Sequence, residues 1–170
     1  DYKDDATAGN GHDTAFLCEL VGSTGRVLAL DIQPAAAAAT GALLREKGFA
    51  QGRAVCASHA ELARFAAPGT ADAIVFNLGY LPGGDHTVFT TPEESIPALR
   101  TSLELLAPGG VLTVCAYSGK AQGTAERDAV LRFARALPAR HYAASIKLFS
   151  DRAGLPPIPI CVEKCPAEAK

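Results

Sequence analysis

The chain has 170 residues, is 48% hydrophobic and carries a net charge of −2, enough to bury one substantial core in one domain. No run reaches the roughly 18 to 20 apolar residues of a membrane span, and no charged, apolar, small-residue signal segment opens it. These features exclude a helical membrane protein and lead us to expect a cytoplasmic one.

The chain starts Asp1-Tyr2-Lys3-Asp4-Asp5, has no methionine, and looks there like the beginning of an epitope tag. This stretch is too polar for a central strand, so the expectation is either a fragment truncated of its N-terminal helix and first strand and joined to tag-like residues 1–4, or a native end whose first strand is frayed. Next comes Asp5-Ala6-Thr7-Ala8-Gly9-Asn10-Gly11-His12-Asp13-Thr14, followed by an apolar helical pattern through Phe16, Leu17, Leu20 and Val21. The order reads as strand, tight turn and helix start. Gly9 and Gly11 can take positive φ and let backbone approach a ligand. A dinucleotide fingerprint would place a third glycine at position 14, where Thr14 stands. The spacing Asp5-x-Thr7-x-Gly9-x-Gly11 resembles motif I of class I S-adenosylmethionine methyltransferases, although a bare Gly-x-Gly is also an ordinary turn.

Arg26–Asp31 is a near-continuous apolar run ending in a carboxylate, as in a buried parallel strand. Asp31 either accepts from two ribose hydroxyls or caps the helix that Pro34 begins. Alanines 35–39 with Leu43, Leu44 and Phe49 continue that helix. Ala54–Ala57 is a third strand, with Ser58 and His59 after it as adenine neighbours or, for His59, a cap or surface residue. Residues 71–77 form a fourth strand leading into Asn77-Leu78-Gly79-Tyr80-Leu81-Pro82-Gly83-Gly84-Asp85-His86. Ligands of a doubly wound sheet lie at the carboxyl ends of its strands, so this loop should face the reacting group, unless its glycines only make turns. It resembles the Asn-Pro-Pro-Tyr loop of amino-methyltransferases, which implies an amine held by Asn77 and a base stacked on Tyr80.

Thr91-Pro92-Glu93-Glu94 reads as a capping box for a helix buried through Ile96, Leu99, Leu103 and Leu106, and Pro108-Gly109-Gly110 should stop that helix. Val111–Tyr117 is a fifth strand and 125–137 a helix. Residues 142–149 and 158–163 form a closing antiparallel pair. The five cysteines are odd in number and lie in apolar patterns, so reduced thiols are expected and Cys161-x-x-x-Cys165 is not expected to bind metal. Residues 1–119 hold 7 Lys+Arg against 13 Asp+Glu, whereas 120–170 hold 9 against 5. Arg127, Arg132, Arg135, Arg140, Lys147 and Arg152 are therefore a candidate RNA-facing surface or simply a solvated face.

Taken together, the glycine loop, Asp31-Ile32-Gln33, the Asn77–Asp85 loop and the Pro156-Pro157 hairpin resemble a small bacterial family. Its members are named as rRNA methylases and are associated with methylating wobble 5-aminomethyl-2-thiouridine of tRNA. The resemblance implies an α/β, Rossmann-like class I fold, mostly parallel with a C-terminal antiparallel hairpin, covering 1–170. It implies S-adenosyl-L-methionine as cofactor, held by Asp5, Thr7, Gly9, Asn10, Gly11, Asp13, Thr14, Asp31, Gln33, Ser58, His59, Asn77 and Gly79. Asn77, Tyr80 and Asp85 would carry the transfer, with Asp85 helping to remove the amine proton or merely shaping a turn. The expected partner is tRNA at its anticodon region, with no membrane and with a homodimer left open. Two motifs depart from the family: Tyr117-Ser118-Gly119-Lys120 replaces a usual Tyr-Tyr-Gly-His, and Ser150-Asp151-Arg152 stands where asparagines are common.

Overall fold

The computed structural model describes residues 1–79, 90–118, 120–149 and 156–166, with the side chains of 120–122 left aside. Seven strands form one sheet: β1 (Tyr2–Asp5), β2 (Arg26–Asp31), β3 (Gly52–Cys56), β4 (Ala71–Leu78), β5 (Leu106–Ala116), β6 (Tyr142–Ile146) and β7 (Ile158–Lys164). Their order is β3-β2-β1-β4-β5-β7-β6. The first five strands pair in parallel, and β7 is antiparallel to both β5 and β6. Helices α1 (His12–Val21), α2 (Pro34–Glu46), α3 (Pro92–Leu105) and α4 (Lys120–Arg135) connect them, with a 3₁₀ turn at His59–Arg64.

Strand alternation divides the core. Leu28, Leu30, Ile74, Phe76, Leu78, Leu112 and Val114 face Leu99, Leu103, Val130 and Ala134 of α3 and α4. On the other side Val27 packs with Leu17, Cys18 and Val21 of α1 and Leu44 of α2. Such burial on both faces is why β2 reads as an unbroken apolar run.

The first strand corrects the sequence expectation. Tyr2–Asp5 is neither absent nor frayed: it lies at the centre of the sheet, in register with Arg26–Ala29 of β2 and, from Lys3 on, with Ala73–Val75 of β4. Ladder bonds use backbone groups, which side-chain polarity leaves untouched. The side chains are accommodated separately. Asp4 accepts the Tyr2 hydroxyl at 2.7 Å and Asp5 accepts the Thr14 hydroxyl at 2.6 Å. Both carboxyls are fully buried, and burial pushes them up to about 7 for Asp4 and about 6 for Asp5.

Three boundaries also move. Helix α3 ends at Leu105 and β5 starts at Leu106, so Pro108-Gly109-Gly110 sits inside the strand rather than at a helix stop. The register explains this: Ala71 pairs with Leu106 and Ala73 with Val111, so the extra β5 residues bulge out where a proline is tolerated. Helix α4 begins at Lys120, five residues earlier than expected. Thr91 does precede α3, but its side chain makes no cap bond, and its carbonyl accepts from the amides of Glu94 and Ser95 instead.

Candidate functional site

The strand order reverses between β1 and β4, which opens a crevice at their carboxyl ends. A cleft of ≈ 470 Å³ lies there, within the size range of small-molecule and cofactor sites. Its wall brings together segments far apart in sequence. Thr7, Gly9, Asn10 and Asp13 come from the first turn, Asp31 and Gln33 from the end of β2, and Ser58 and His59 from beyond β3. Asn77 enters from the tip of β4.

The turn after β1 has the shape its glycines suggest. Gly9 has φ 54° and Gly11 φ 82°, and Gly11 is the residue before the first turn of α1. A Cβ on Gly11 would come within 3.0 Å of the Thr40 Cα, so helix α2 approaches too closely for a side chain. Asp5, Gly11, Thr14 and Gly79 do not line the cleft and stand behind its wall. Asp5 braces the turn: one oxygen accepts from Thr14 Oγ1, and the other accepts the Thr7 amide at 3.3 Å. That bond supplies a reason for threonine where a dinucleotide site would have glycine.

Asp31 is not the residue that caps α2. The residue preceding α2 is Gln33, whose side chain makes no cap bond. Asp31 Oδ1 accepts the Gln33 amide and Oδ2 the Gly9 amide, both at 2.9 Å. Each carboxylate oxygen has a second lone pair, so acceptor capacity remains toward the cleft. Ser58 caps the 3₁₀ turn through the Ala60 amide at 3.2 Å. His59 is buried, edge-on to Phe76 at 5.8 Å, and its Nε2 has no partner among the described residues. Burial lowers its pKa, leaving a neutral ring with an unsatisfied nitrogen in the cleft wall.

Asn77 is held at both ends. Its amide N–H donates to Thr7 Oγ1 at 2.6 Å, and its Nδ2 donates to Asp13 Oδ2 at 2.7 Å. With the carboxamide nitrogen committed to Asp13, Oδ1 is the acceptor it can offer to a ligand. Tyr80 and Asp85, the other two proposed catalytic positions, lie outside the described residues.

The cleft also uses residues that sequence reasoning passed over: Ile32, Thr90, Glu94 and Tyr117, together with His12. The sequence shows Glu94 as half of a capping box and Tyr117 as the end of a strand and the start of the Tyr117-Ser118-Gly119-Lys120 loop, with no cleft role for either. The signal for Tyr117 was present, since it follows β5 as Asn77 ends the neighbouring β4, and Asn77 pairs with Cys115. Among the described residues no lysine or arginine lines the cleft, whereas Asp13, Asp31 and Glu94 do. This electrostatic balance suits a cationic ligand and offers no counter-charge to a pyrophosphate.

The basic surface is only partly available. Arg127 pairs with Asp128 at 2.7 Å and donates to Ser118 Oγ at 3.2 Å, close to the cleft residue Tyr117. Lys164, by contrast, is consumed at the carboxyl end of α3, where its Nζ meets the carbonyls of Leu103 and Leu106 at 2.9 and 2.7 Å. Arg152 lies outside the described residues. Among the described residues no group of His, Cys, Asp and Glu is placed to hold a metal, and no helix is long and apolar enough to cross a membrane.

Fold and cleft together define a class I, Rossmann-like α/β domain of the kind that binds a nucleoside cofactor at its strand-order reversal. The family model described as "Putative rRNA methylase" matches residues 27–163, and the chain belongs to that family. The chloroplastic tRNA (mnm5s2U34)-methyltransferase of Arabidopsis thaliana is 34% identical over 146 residues, 79% of this chain. The chain spans about half, 53%, of that relative's length. Among solved structures, a putative rRNA-methylase from Clostridium thermocellum is 39% identical with a TM-score of 0.93, over 96% of this chain and 88% of that one. A putative methyltransferase from Streptococcus mutans, solved in complex with SAH, is 31% identical with a TM-score of 0.86 over the same shares.

Proposed function

We propose that this chain is an S-adenosylmethionine-dependent methyltransferase acting on the primary amine of wobble 5-aminomethyl-2-thiouridine in tRNA, giving the 5-methylaminomethyl form. The observation that carries it is Asn77 at the tip of β4, its carboxamide held by Asp13 and its backbone amide by Thr7, in a cleft that among the described residues has three carboxylates and no lysine or arginine. The name of the Arabidopsis relative supports the substrate class, and the SAH complex of the Streptococcus protein supports the cofactor.

The residues present fit that cofactor. Asp31 has spare lone pairs for vicinal ribose hydroxyls, the orphan His59 Nε2 can meet a purine edge, and the backbone at Gly9 and Asn10 admits close approach. Asp13 and Glu94 supply negative charge for an ammonium and a sulfonium. When bound, S-adenosylmethionine supplies a methyl group already activated by the sulfonium. What remains for the protein is alignment and exclusion of water. Asn77 Oδ1 accepts a hydrogen bond from the neutral amine and aims its lone pair, while Tyr80 stacks on the uracil ring. The amine must first lose a proton, and Asp85 is the carboxylate we assign to that step. Arg127, beside Ser118, is the cation we assign to a neighbouring backbone phosphate.

Incubation with labelled cofactor and separately with aminomethyl-bearing tRNA, unmodified rRNA and small amines tests this reading. Label in the modified tRNA supports it. Label only in rRNA or in a small amine would replace the substrate, and cofactor binding without transfer to any of them would make the chain a non-catalytic binding protein.

A further inference from the structure

We propose that Glu126 is a positioning residue for the transfer, holding the tip of β4 through Thr90; this rests on the function proposed above. Glu126 lies in α4, away from the cleft wall, and is 1% exposed. Among the described residues no cation pairs with it, and a buried carboxylate without one is costly unless its oxygens are hydrogen-bonded, as both are here. Oε1 accepts the Ser95 hydroxyl and Oε2 accepts the Thr90 hydroxyl at 2.7 Å.

The direction of these bonds is what matters. Both hydroxyls donate to the carboxyl, whose pKa burial raises while these two bonds pull it back down, and in its ionised form it can only accept, so Ser95 and Thr90 each spend their single proton on it. The Thr90 oxygen is thereby left as an acceptor for its other neighbour, and the Gly79 amide donates to it at 3.0 Å. Thr90 also returns a bond, its amide donating to the Gly79 carbonyl at 3.2 Å. Glu126 thus orients the hydroxyl that fixes Gly79, two residues past Asn77.

Gly79 is placed where a small displacement would be felt. A Cβ there would lie 3.2 Å from Tyr117 Cβ, so the β4 tip presses directly on a residue of the cleft wall. The Tyr117 amide donates to the Leu78 carbonyl at 3.1 Å, which ties the same two strand ends together. Loosening Gly79 leaves the Asp31 end of the cleft untouched and disturbs the end that carries Asn77 and Tyr117. The relay therefore bears on the end of the cleft that the function proposed above gives to the methyl acceptor.

Thr90→Val removes the hydroxyl at nearly constant volume, Thr90→Ser restores it, and Glu126→Gln keeps the shape while losing one acceptor. Two readouts apply to each full-length variant: exchange of the Gly79 amide proton, and single-turnover methylation of aminomethyl-bearing tRNA below the melting transition. Thr90→Val should speed Gly79 exchange and slow turnover, each by about tenfold, the scale of one lost hydrogen bond. Turnover is read at saturating cofactor, because Thr90 itself lines the cleft and its change can also weaken S-adenosylmethionine. Thr90→Ser should restore both readouts. Glu126→Gln should move them in the same direction alone and add little in the Thr90→Val background, since the route through Thr90 is already broken. Unchanged Gly79 exchange in Thr90→Val, or faster exchange with undiminished turnover, overturns the proposal. So does a full additional loss from Glu126→Gln in the Thr90→Val background. If the wild-type protein methylates no aminomethyl-bearing tRNA, the functional reading has failed, and Gly79 exchange still decides whether the relay exists.

Discussion

Replacing Asp4 by Asn should make the protein more stable above neutral pH, the reverse of what removing a charged residue from a surface would do. Asp4 is fully buried at the centre of the sheet, Oδ1 accepts from Tyr2, and Oδ2 has no partner among the described residues. Burial is the main cause that raises its pKa from 3.8 to about 7, with the Tyr2 hydroxyl pulling the other way and the neighbouring Asp5 adding to the rise. Between those two values the folded chain holds a proton that the unfolded chain has released, so stability falls as pH rises. The slope is about 1.4 kcal/mol per pH unit and flattens above the folded pKa. From about pH 5 to about pH 8 the wild-type protein should therefore lose on the order of 3 kcal/mol through Asp4 alone. Asp5, raised to about 6, adds a loss of the same sign that ends at lower pH. Asn cannot ionise and keeps an acceptor for Tyr2, so Asp4→Asn should track only the Asp5 contribution and level off above pH 6 or so. Urea unfolding followed by circular dichroism across that range gives both curves. Parallel curves for the two proteins would show that Asp4 is not protonated in the fold, and the reasoning would fail.

Other outcomes follow from the cleft and its supports. Asp31→Ala should weaken S-adenosylhomocysteine by roughly 1 to 3 kcal/mol in isothermal titration, the scale of hydrogen bonds to a charged group; an unchanged constant in a folded variant would confine Asp31 to holding the Gly9 and Gln33 amides. Asn77→Ala should cut single-turnover methylation while nearly preserving cofactor affinity, and Asp13→Ala should show a smaller loss because it frees the amide without removing it. A drop in melting temperature with normal turnover would instead make the Asn77 loop a packed turn. Gly11→Ala should destabilise by about 1 to 3 kcal/mol in thermal unfolding, since its φ of 82° and the 3.0 Å approach of Thr40 both oppose a side chain.

What could be read in advance depended on whether a residue's role was local. β2 and α2 announce themselves through burial on both faces and through Pro34 at a helix start; β2 falls where its pattern puts it, and α2 starts as expected but ends at Glu46, short of Phe49. The first strand was misread because its pattern is judged by side chains, whereas its place is fixed by backbone pairing with two neighbours distant in sequence. Leu106 to Val111 failed for a related reason. Pro-Gly-Gly is a strong local stop signal, and the bulge that absorbs it exists only in the register with β4.

The same division runs through the site, and it accounts for which residues escaped notice. Gly9, Gly11 and Asp31 sit in stretches whose spacing alone suggests a turn and a ribose acceptor. Glu94, Tyr117 and Glu126 have no such spacing, because they reach the cleft or its support by way of α3, β5 and α4 packing. In the function proposed above, these later residues bear on the acceptor end, whereas the earlier ones bear on the cofactor end. A cofactor common to many reactions can be held by one compact turn, so its signature is short and legible. In that reading the acceptor is held against it by groups on separate elements, Asn77 from β4, Tyr117 from β5 and, through Thr90, Glu126 from α4. Those elements meet only when the sheet has formed, which is why the half of the site that would choose the substrate is the half least visible in the chain.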